Sequence, residues 1–473
     1  MKILFAASEA LPFVKVGGLG DVAGALPKEL VKKGHDVRVV IPLYSTMKPE
    51  LKESISYTKN FYFTFGWRNS YCGIFTAVVD GVTYYLIDNE QYFKRPYPYG
   101  EFDDGERFAY FSKAVLEIIP QIDFYPDINH ANDWHTALVS VYLDTQYRLI
   151  DGYKNIKTVF SIHNIEFQGK YGIDILENVF GIYKGQASLL EHDGCLNLMK
   201  GAVECSNAVT TVSKSYANEI LNPYFSYGLD PILKERQYKI SGIVNGIDMD
   251  LFNPATDKNI HTNYTAKTPS NKRFNKRNLQ RELGLPERKD IPLIGMVTRL
   301  TPQKGVDLLE QVIDKLMESD VQIVVLGTGY ADYENFFKYC EHKYPDKVRA
   351  CIMFSSALAQ KIYAGADIFL MPSRTEPCGL AQMIALRYGT IPVVHAVGGL
   401  RDTVIPFEAA EGNGNGVTFQ SFNAYDMLDA IYRAMTIWYD ENQRKSILHN
   451  AMTGDYSWNN SADEYIKIYE SIL

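Results

Sequence analysis

The chain has 473 residues, of which 46% are hydrophobic and 22% charged, and its formal net charge is −8. The composition is typical of a globular protein, and the length is sufficient for two domains. The acidic balance, without any Lys/Arg-rich block, argues against nucleic acid or an anionic membrane surface as a general partner. No apolar run reaches the length of a membrane span or of a signal peptide. Six cysteines without a C-x-x-C pair favour reduced thiols and a cytoplasmic location.

The chain opens with a predicted βαβ unit, made of a strand over Lys2–Ala7, a helix over Leu19–Lys33 and a strand over Val37–Pro42. Between the first strand and the helix lies Lys15-Val-Gly-Gly-Leu-Gly-Asp21, and Gly18-x-Gly20-x-x-Ala23 fits the dinucleotide pattern. We reject a dinucleotide site, because about ten residues separate strand and loop and no acid ends the second strand. What remains is a glycine-rich loop with a lysine at a helix N-terminus, which is weak evidence for function.

Further elements of the first half end in polar residues. The pattern predicts a hairpin (Phe75–Val79 and Val82–Ile87), a helix (Gly105–Ile119) and strands at Asp127–His130, Lys157–Ile162, Ala208–Val212 and Lys239–Val244. His163 and Asn164 follow one of these strands, and ligands bind at the carboxyl ends of strands in open α/β sheets. The spacing of His130, Asp133 and His135 disfavours a metal site. Asp248-Met-Asp250 has the D-x-D form of some cation sites, but its neighbours indicate a turn.

A polar, lysine-rich segment, residues 253–290, is predicted to connect two domains. The βα alternation then restarts, which predicts a second doubly wound sheet. Its strands are predicted at Leu293–Val297, Val321–Leu326, Val348–Phe354 and Asp367–Met371, and its helices at Val306–Met317, Tyr330–His342 and Leu380–Leu386. The last helix is predicted to follow Trp458 with a capping box, Ser461-Ala-Asp-Glu464, and to pack near the first domain.

Two loops of the second half predict a nucleotide-sugar site. Arg299 and Lys304 share the loop after one strand, and two cations at a sheet edge suit a pyrophosphate. Glu376, Cys378 and Gly379 lie where a strand leads into a helix N-terminus, which suits an anion beside a polar sugar. Solvated surface charge and an ordinary strand-to-helix loop are the alternatives. P-loop, G-x-S-x-G and H-E-x-x-H motifs are absent from the sequence.

Seven motifs in order along the chain resemble those of bacterial glycogen synthases and plant starch synthases: KVGGLGDV, HANDWH, SIHNIEFQG, VNGID, TRLTPQKG, PSRTEPCGLAQ and GGLRDTV. The resemblance implies the GT-B architecture, an α/β fold of two Rossmann-like doubly wound domains facing an interdomain cleft. We therefore predict an N-terminal acceptor-side domain at 1–244, joined by the C-terminal helix 457–473 crossing back to it, and a nucleotide-sugar-binding domain at 245–456. The implied reaction moves glucose from ADP-glucose to the non-reducing end of an α-1,4-glucan such as glycogen, with retained configuration and neither metal nor cofactor.

The resemblance also assigns roles to residues. It implies four catalytic residues: His163, which would hold the transferred glucose, Arg299 and Lys304 on the diphosphate, and Glu376 on the sugar hydroxyls. It implies substrate contacts from Lys15, Gly18, Asp21, Asp133, Asn164, Asn245, Phe354 (at the adenine), Cys378, Gly379 and Leu380. Two residues depart from the family pattern. Ala381 stands where a threonine is usual, and Asn132 stands where many relatives have histidine.

Three rival interpretations stay open from the sequence. The donor could be UDP-glucose, the enzyme could be an α-glucan phosphorylase with pyridoxal phosphate, or the chain could bind glucan without catalysis. No second carboxylate is evident beside Glu376 for double displacement, so we favour attack by the acceptor hydroxyl on the face that ADP leaves.

Overall fold

The computed structural model describes all 473 residues, and they form two compact units, residues 1–245 with 458–473 and residues 246–457. These boundaries differ by one residue from the sequence-based ones. Each unit has its own sheet and its own hydrophobic core. None of the helices combines the length and the apolarity needed to span a bilayer. All six cysteines are free thiols.

Up to residue 245, the first unit contains twelve strands and ten α-helices. The strands are β1 (Lys2–Ala6), β2 (Asp36–Pro42), β3 (Ser56–Phe65), β4 (Arg68–Val79), β5 (Val82–Asp88), β6 (Ile128–Asn132), β7 (Lys157–Ile162), β8 (Lys170–Tyr171), β9 (Glu191–His192), β10 (Cys195–Asn197), β11 (Ala208–Thr211) and β12 (Ile240–Gly242). The helices are α1 (Gly18–Lys32), α2 (Pro49–Glu53), α3 (Glu90–Phe93), α4 (Asp104–Gln121), α5 (Ala137–Tyr142), α6 (Ile175–Asn178), α7 (Leu198–Cys205), α8 (Lys214–Glu219), α9 (Pro223–Ser226) and α10 (Asp230–Glu235).

Nine of these strands form one sheet in the order β12-β11-β7-β6-β1-β2-β5-β4-β3. The strands from β12 to β5 are parallel, and β4 and β3 are antiparallel additions at one edge. Strand β3 was missing from the sequence prediction, because most of its side chains are exposed and its first half, residues 56–60, is mostly polar. Since β1 lies between β2 and β6, the loops that follow β1 and β6 leave the sheet at a topological switch point, where ligands bind in such folds.

The second unit is doubly wound. Its strands are β13 (Leu293–Val297), β14 (Gln322–Leu326), β15 (Val348–Cys351), β16 (Ile368–Met371), β17 (Ile391–His395) and β18 (Val417–Phe419), and its helices are α11 (Lys272–Glu282), α12 (Val306–Leu316), α13 (Ala331–Lys343), α14 (Ser356–Gly365), α15 (Ala381–Arg387), α16 (Gly398–Thr403), α17 (Ala424–Tyr439) and α18 (Glu441–Thr453). All strands are parallel, in the order β15-β14-β13-β16-β17-β18. This is the strand order of dinucleotide-binding folds, and its switch point lies between β13 and β16.

The prediction of a connector over residues 253–290 is wrong, because helix α11 occupies its centre and packs within the second unit. Its lysines misled the composition argument, because two of them are buried. The Nζ of Lys272 donates to the carbonyl oxygens of Tyr363 and Ala364 at 2.9 and 2.8 Å. The Nζ of Lys276 pairs with Asp367 at 2.7 Å. Lysine stems pack well in a core when the ammonium group finds acceptors.

The C-terminal helix α19 (Trp458–Ile472) belongs to the first unit, as predicted. The predicted range 457–473 starts within one residue of the observed helix, but the predicted capping box is wrong, because Ser461 lies inside the helix. The Oγ of Ser461 instead donates to the carbonyl of Val244 at 2.6 Å. The hydroxyl of Tyr469 lies 2.7 Å from Nδ1 of the buried His130 on β6, so the helix is fixed to the sheet by a polar contact as well as by apolar packing.

Candidate active site

The glycine-rich loop of the first unit is held by a buried carboxylate that the sequence analysis missed. Glu9 accepts hydrogen bonds from the backbone N–H groups of Val16 and Gly17, the latter at 3.1 Å. Burial raises the pKa of Glu9. Lys15 pairs with Asp21 at 2.7 Å, so its charge is already balanced within the loop. In the sequence, Glu9 stands out only as an acidic residue shortly after a buried strand. A carboxylate is costly to bury unless it accepts hydrogen bonds, for example from backbone N–H groups.

One face of this loop is open. A Cβ placed on Gly18 would meet no heavy atom within 4 Å, so a group approaching the start of α1 meets no side chain there. Asp21 lies in the first turn of the same helix, and burial raises the pKa of its carboxyl group. Lys15, Gly18 and Asp21 therefore lie together at the start of α1, and an incoming anion would share Lys15 with Asp21.

The ends of β6 and β7 are joined through Asp133. Its Oδ1 accepts from the backbone N–H of His163 at 2.7 Å and of Asn164 at 3.4 Å. Burial raises the pKa of Asp133 to about 7. The residue has φ 55° and ψ 177°, a backbone conformation that costs roughly 1–3 kcal/mol outside glycine and that occurs mainly at functional sites. The prediction that Asp133 neighbours His163 is confirmed.

The side chain of His163 is oriented by Asn132. The distance from His163 Nε2 to Asn132 Oδ1 is 2.9 Å, and Asn132 Nδ2 donates to the carbonyl of Ala6 at 3.0 Å. Because the amide nitrogen faces a carbonyl, the amide oxygen must accept from Nε2–H, which leaves Nδ1 as the unprotonated nitrogen. Burial lowers the pKa of His163 to about 4, so the ring is neutral at pH 7. Asn132, a departure from the family pattern, thus supplies a positioning hydrogen bond.

The histidines near the β6–α5 corner form no metal centre. His130 lies between Tyr469 and Ser161, with both ring contacts at 2.7 Å, and burial lowers its pKa to about 3. No group of three or more His, Cys, Asp or Glu side chains is arranged to hold a metal ion. Asp248 accepts from the backbone N–H groups of Asp250 and Leu251 at 3.0 and 2.9 Å, so the D-x-D segment is a capped turn, as predicted.

The centre of the second unit's candidate site is an ion pair between the loops that follow β13 and β16. Lys304 Nζ lies 2.6 Å from Glu376 Oε2, and the side chains are 13% and 9% exposed. Ser373 Oγ donates to the same oxygen at 2.9 Å. Both partners use Oε2, so Oε1 remains an acceptor without a hydrogen-bond partner. The carboxylate is thereby fixed at one oxygen and available at the other.

The same two loops are joined along their backbones. Arg374 N–H donates to the carbonyl of Gln303 at 2.8 Å, and Gln303 Nε2 donates to the carbonyl of Thr375 at 3.2 Å. Gly305, with φ 72°, lies so close that a Cβ there would be 2.1 Å from the carbonyl oxygen of Pro372. These contacts occur because β13 and β16 are neighbours in the sheet, although their first residues, Leu293 and Ile368, are 75 positions apart in the chain.

Arg299 differs from Lys304. It is exposed and makes no side-chain hydrogen bond or ion pair. Two cations in one loop predict an external anion, but Lys304 already pairs with Glu376. Arg299 is therefore the one of the two whose positive charge is uncompensated in this structure.

The helix-start segment that contains Cys378, Gly379 and Leu380 is supported by a glycine pair outside the predicted site. Gly379 has φ 73°, a left-handed conformation that favours glycine, and Leu380 directly precedes α15. The N–H of Gly399 donates to the carbonyl of Glu376 at 3.1 Å, and a Cβ on Gly399 would lie 2.1 Å from the carbonyl oxygen of Cys378. The sequence signal was the Gly-Gly pair after a buried strand, which permits such close backbone approach.

The two remaining predicted contacts are Phe354 and Asn245. Phe354 is 91% exposed and lies beyond the end of β15, so the predicted strand Val348–Phe354 was too long. Asn245 is buried, and its Oδ1 has no hydrogen-bond partner. A buried amide oxygen without a partner is uncommon and is consistent with a ligand contact.

The two α/β units with parallel sheets match the class of GT-B glycosyltransferases. A sucrose-phosphate synthase from Thermosynechococcus elongatus shares the fold, with a TM-score of 0.63 over 100% of this chain and 98% of that one at 17% identity. Family models match as well: "Starch synthase catalytic domain" over residues 2–235 and "Glycosyl transferases group 1" over residues 275–452.

Relatives with higher sequence identity show which family within this class the chain belongs to. The glycogen synthase of Bacillus cereus strain B4264 is 50% identical over 100% of both chains, and that of Clostridium botulinum strain Alaska E43 is 50% identical over 100% of this chain and 99% of its own. The catalytic domain of starch synthase IV from Arabidopsis thaliana, in a structure with ADP and acarbose, has a TM-score of 0.91 and 35% identity over 100% of this chain and 99% of that one. The chain belongs to the glycogen and starch synthase family, and the resemblance noted in the sequence is confirmed.

Proposed function

We propose that this chain is a retaining glucosyltransferase that moves glucose from ADP-glucose to the non-reducing end of an α-1,4-glucan in glycogen synthesis. Family membership supports glucosyl transfer. The observation that carries the residue assignment is the arrangement of Lys304, Glu376 and Ser373 beside the uncompensated charge of Arg299. A fixed carboxylate suits sugar hydroxyls, and cations at the same sheet edge suit a diphosphate.

The leaving group sets the main electrostatic demand. When the bond between glucose C1 and the diphosphate oxygen breaks, negative charge builds up on ADP, and fixed positive groups lower the barrier more than a general acid would. Arg299 supplies an unpaired charge for this purpose. Lys304 is held in place by Glu376, so little reorganisation is required when it also contacts the phosphate.

The sugar is assigned to Glu376 and His163. Glu376 has Oε1 available to accept from glucose hydroxyls while Oε2 stays with Lys304 and Ser373. His163 is neutral and presents Nδ1 as an acceptor, so it orients a hydroxyl without adding positive charge near C1. We favour attack by the acceptor hydroxyl on the face that ADP leaves. The new C1–O bond forms as the old one breaks, and the hydroxyl proton passes to the departing phosphate.

Incorporation of labelled glucose into glycogen tests the proposal. With equal concentrations of ADP-glucose and UDP-glucose, we expect faster incorporation from ADP-glucose, and proton NMR of the product should show only new α-1,4 linkages. Faster incorporation from UDP-glucose would identify UDP-glucose, and not ADP-glucose, as the donor. Glycogen co-sedimentation without any transfer would favour the non-catalytic alternative. A pyridoxal absorbance band with phosphorolysis of glycogen would favour a phosphorylase.

Three further proposals accompany this function. The reaction is proposed to need no metal or cofactor, so activity should survive dialysis against EDTA. ADP-glucose and glucan are the proposed partners, without nucleic acid or membrane. The chain is proposed to act in the cytoplasm, where its six free thiols stay reduced, and activity should therefore be unaffected by dithiothreitol.

A further inference from the structure

The second unit contains a cavity of about 750 Å³ at the edge of its sheet opposite to Glu376. Helix α11 and the residues at the amino ends of β16 and β17, Asp367 and Gly389, line it. Glu376 follows the carboxyl end of the same strand β16. The chain from Asp367 to Pro372 spans about 17 Å at the usual rise per strand residue. The cavity is therefore separate from the candidate active site.

The lining of this cavity is positively charged although the chain as a whole carries −8. Its cations are Lys272, Arg273, Lys276, Arg277, Lys289 and Arg444. Its carboxylates are Glu287, Asp290 and Asp367. Burial lowers the pKa of Lys272 to about 7, so this group is not counted as a full charge. The other five cations against three carboxylates leave a surplus of two positive charges. Such a local surplus attracts anions from solution.

All three carboxylates already have cationic partners. Asp367 pairs with Lys276 at 2.7 Å, Glu287 with Arg277 at 2.5 Å, and Asp290 with Arg288 at 2.7 Å. None is left to neutralise the rest of the lining.

Four lining cations lack a carboxylate partner. Lys272 is buried, and its Nζ donates to two carbonyls and to the hydroxyl of Thr390 at 2.7 Å. Arg444 donates one N–H to the carbonyl of Trp438 at 2.6 Å. Arg273 lies over the ring of Phe274, and Lys289 has no side-chain partner. The guanidinium groups of Arg273 and Arg444 and the ammonium group of Lys289 thus keep donors available at the cavity.

The cavity has two aromatic residues, Phe274 and Trp438, and both contact cations. The guanidinium group of Arg273 lies 4.8 Å from the ring centroid of Phe274. Trp438 is 8% exposed, and Lys276 Nζ and Arg444 Cζ lie 4.8 and 5.3 Å from its ring centroid. The indole therefore contacts cations, whereas glucan sites present open aromatic faces. An anionic ligand fits the lining better than a glucan chain does.

We propose that this cavity binds a phosphorylated small molecule, with Arg273, Lys289 and Arg444 on its phosphoryl group. Guanidinium groups bind phosphate oxygens through paired N–H donors, and a cavity of this volume accommodates a sugar monophosphate or a nucleotide. The site is independent of the proposed transferase reaction.

Calorimetric titration of the full chain with inorganic phosphate and with glucose 1-phosphate tests the site. The background variant is Arg299→Ala, which weakens anion binding at the candidate active site. In that background, Arg273→Ser with Lys289→Ser should weaken binding of both probes by about tenfold or more, since two charge-assisted contacts are lost. The matched control is Lys258→Ser with Lys338→Ser, two exposed lysines of the same unit without ion pairs, which removes the same charge.

Hydrogen exchange locates the binding. Glucose 1-phosphate should protect the amides of residues 269–292 in the background variant and not in the variant lacking Arg273 and Lys289. Equal affinities in the cavity and control variants, or protection confined to other segments, would overturn the proposal. Loss of the transferase activity would not affect these readouts, and the cavity variant should transfer glucose at the wild-type rate when the active-site arginine is intact.

Discussion

Replacing Lys304 with methionine separates the structural role of this lysine from its proposed role in catalysis. Methionine keeps the length and apolar stem of the side chain but removes the ammonium group. Glu376 then remains buried with Ser373 as its hydrogen-bond partner. The matched variant is Arg299→Met, which removes a cation from the same loop at a position that is exposed and unpaired.

The structure gives different magnitudes for the two variants. Removing one partner of a buried ion pair costs about 3–5 kcal/mol, and the residual exposure of Lys304 with the retained serine contact reduces this to about 2–3 kcal/mol. For a unit of this size, that lowers Tm by roughly 5–10 °C. An exposed, unpaired arginine contributes within about 0.5 kcal/mol. Both variants should lower kcat by roughly 10² to 10³, the usual cost of losing one charge stabiliser.

Thermal unfolding and glucosyl transfer are measured for four variants. These are Lys304→Met, Arg299→Met, Glu376→Gln and the Lys304→Met/Glu376→Gln double variant. The double variant should recover at least about 1 kcal/mol relative to the sum of its single changes, because it leaves no buried charge unpaired. Additive effects, or equal Tm values for the two cation variants, would refute the buried pair. A loss of kcat below threefold in a folded Arg299 variant would refute its role at the diphosphate.

Three further outcomes follow from other contacts. Burial raises the pKa of Asp133 from 3.8 to about 7, so the folded state binds more protons and its stability falls as the pH rises through this range. From pH 5 to pH 8 the wild type should lose about 2–3 kcal/mol relative to Asp133→Asn in urea unfolding, and parallel pH profiles would contradict this. Gly399→Ala places a Cβ 2.1 Å from the Cys378 carbonyl oxygen and should lower the free energy of unfolding by about 2 kcal/mol or more. The KM for the donor should rise as well. An unchanged stability would show that the loop moves to accommodate the methyl group. Tyr469→Phe removes the 2.7 Å contact to His130 and should lower the free energy of unfolding by about 1–3 kcal/mol. An unchanged urea midpoint would show that this contact does not stabilise the fold.

Local patterns located most of the elements near the site. The strand Lys157–Ile162 was predicted with its observed bounds, and β16 and α15 were predicted within a residue or two of theirs. These segments are buried and apolar with clear terminators, so local sequence is sufficient. Helix α11 was missed for the opposite reason. Its buried Lys272 and Lys276 reach acceptors that come from distant segments, which composition cannot reveal.

The positioning residues were also out of reach of local sequence. Asn132 bonds to His163 and Ala6, which are 31 and 126 residues away, whereas Glu9 and Ser373 bond to groups 8 and 3 residues away. Only Glu9 had a local signal, as an acid shortly after a buried strand. The partners of Asn132 are specified by which strand ends adjoin one another.

Sequence by itself determined the family, the alternation of strands and helices, and the residue types that suit a nucleotide sugar, because each of these is written in local pattern and motif order. Tertiary structure decided which charges are free. Two cations that look alike in one loop differ because β16 delivers Glu376 to Lys304 and leaves Arg299 in solvent. The physical reason is that burial and ion pairing are properties of neighbours in space, and parallel sheets make neighbours of residues far apart along the chain.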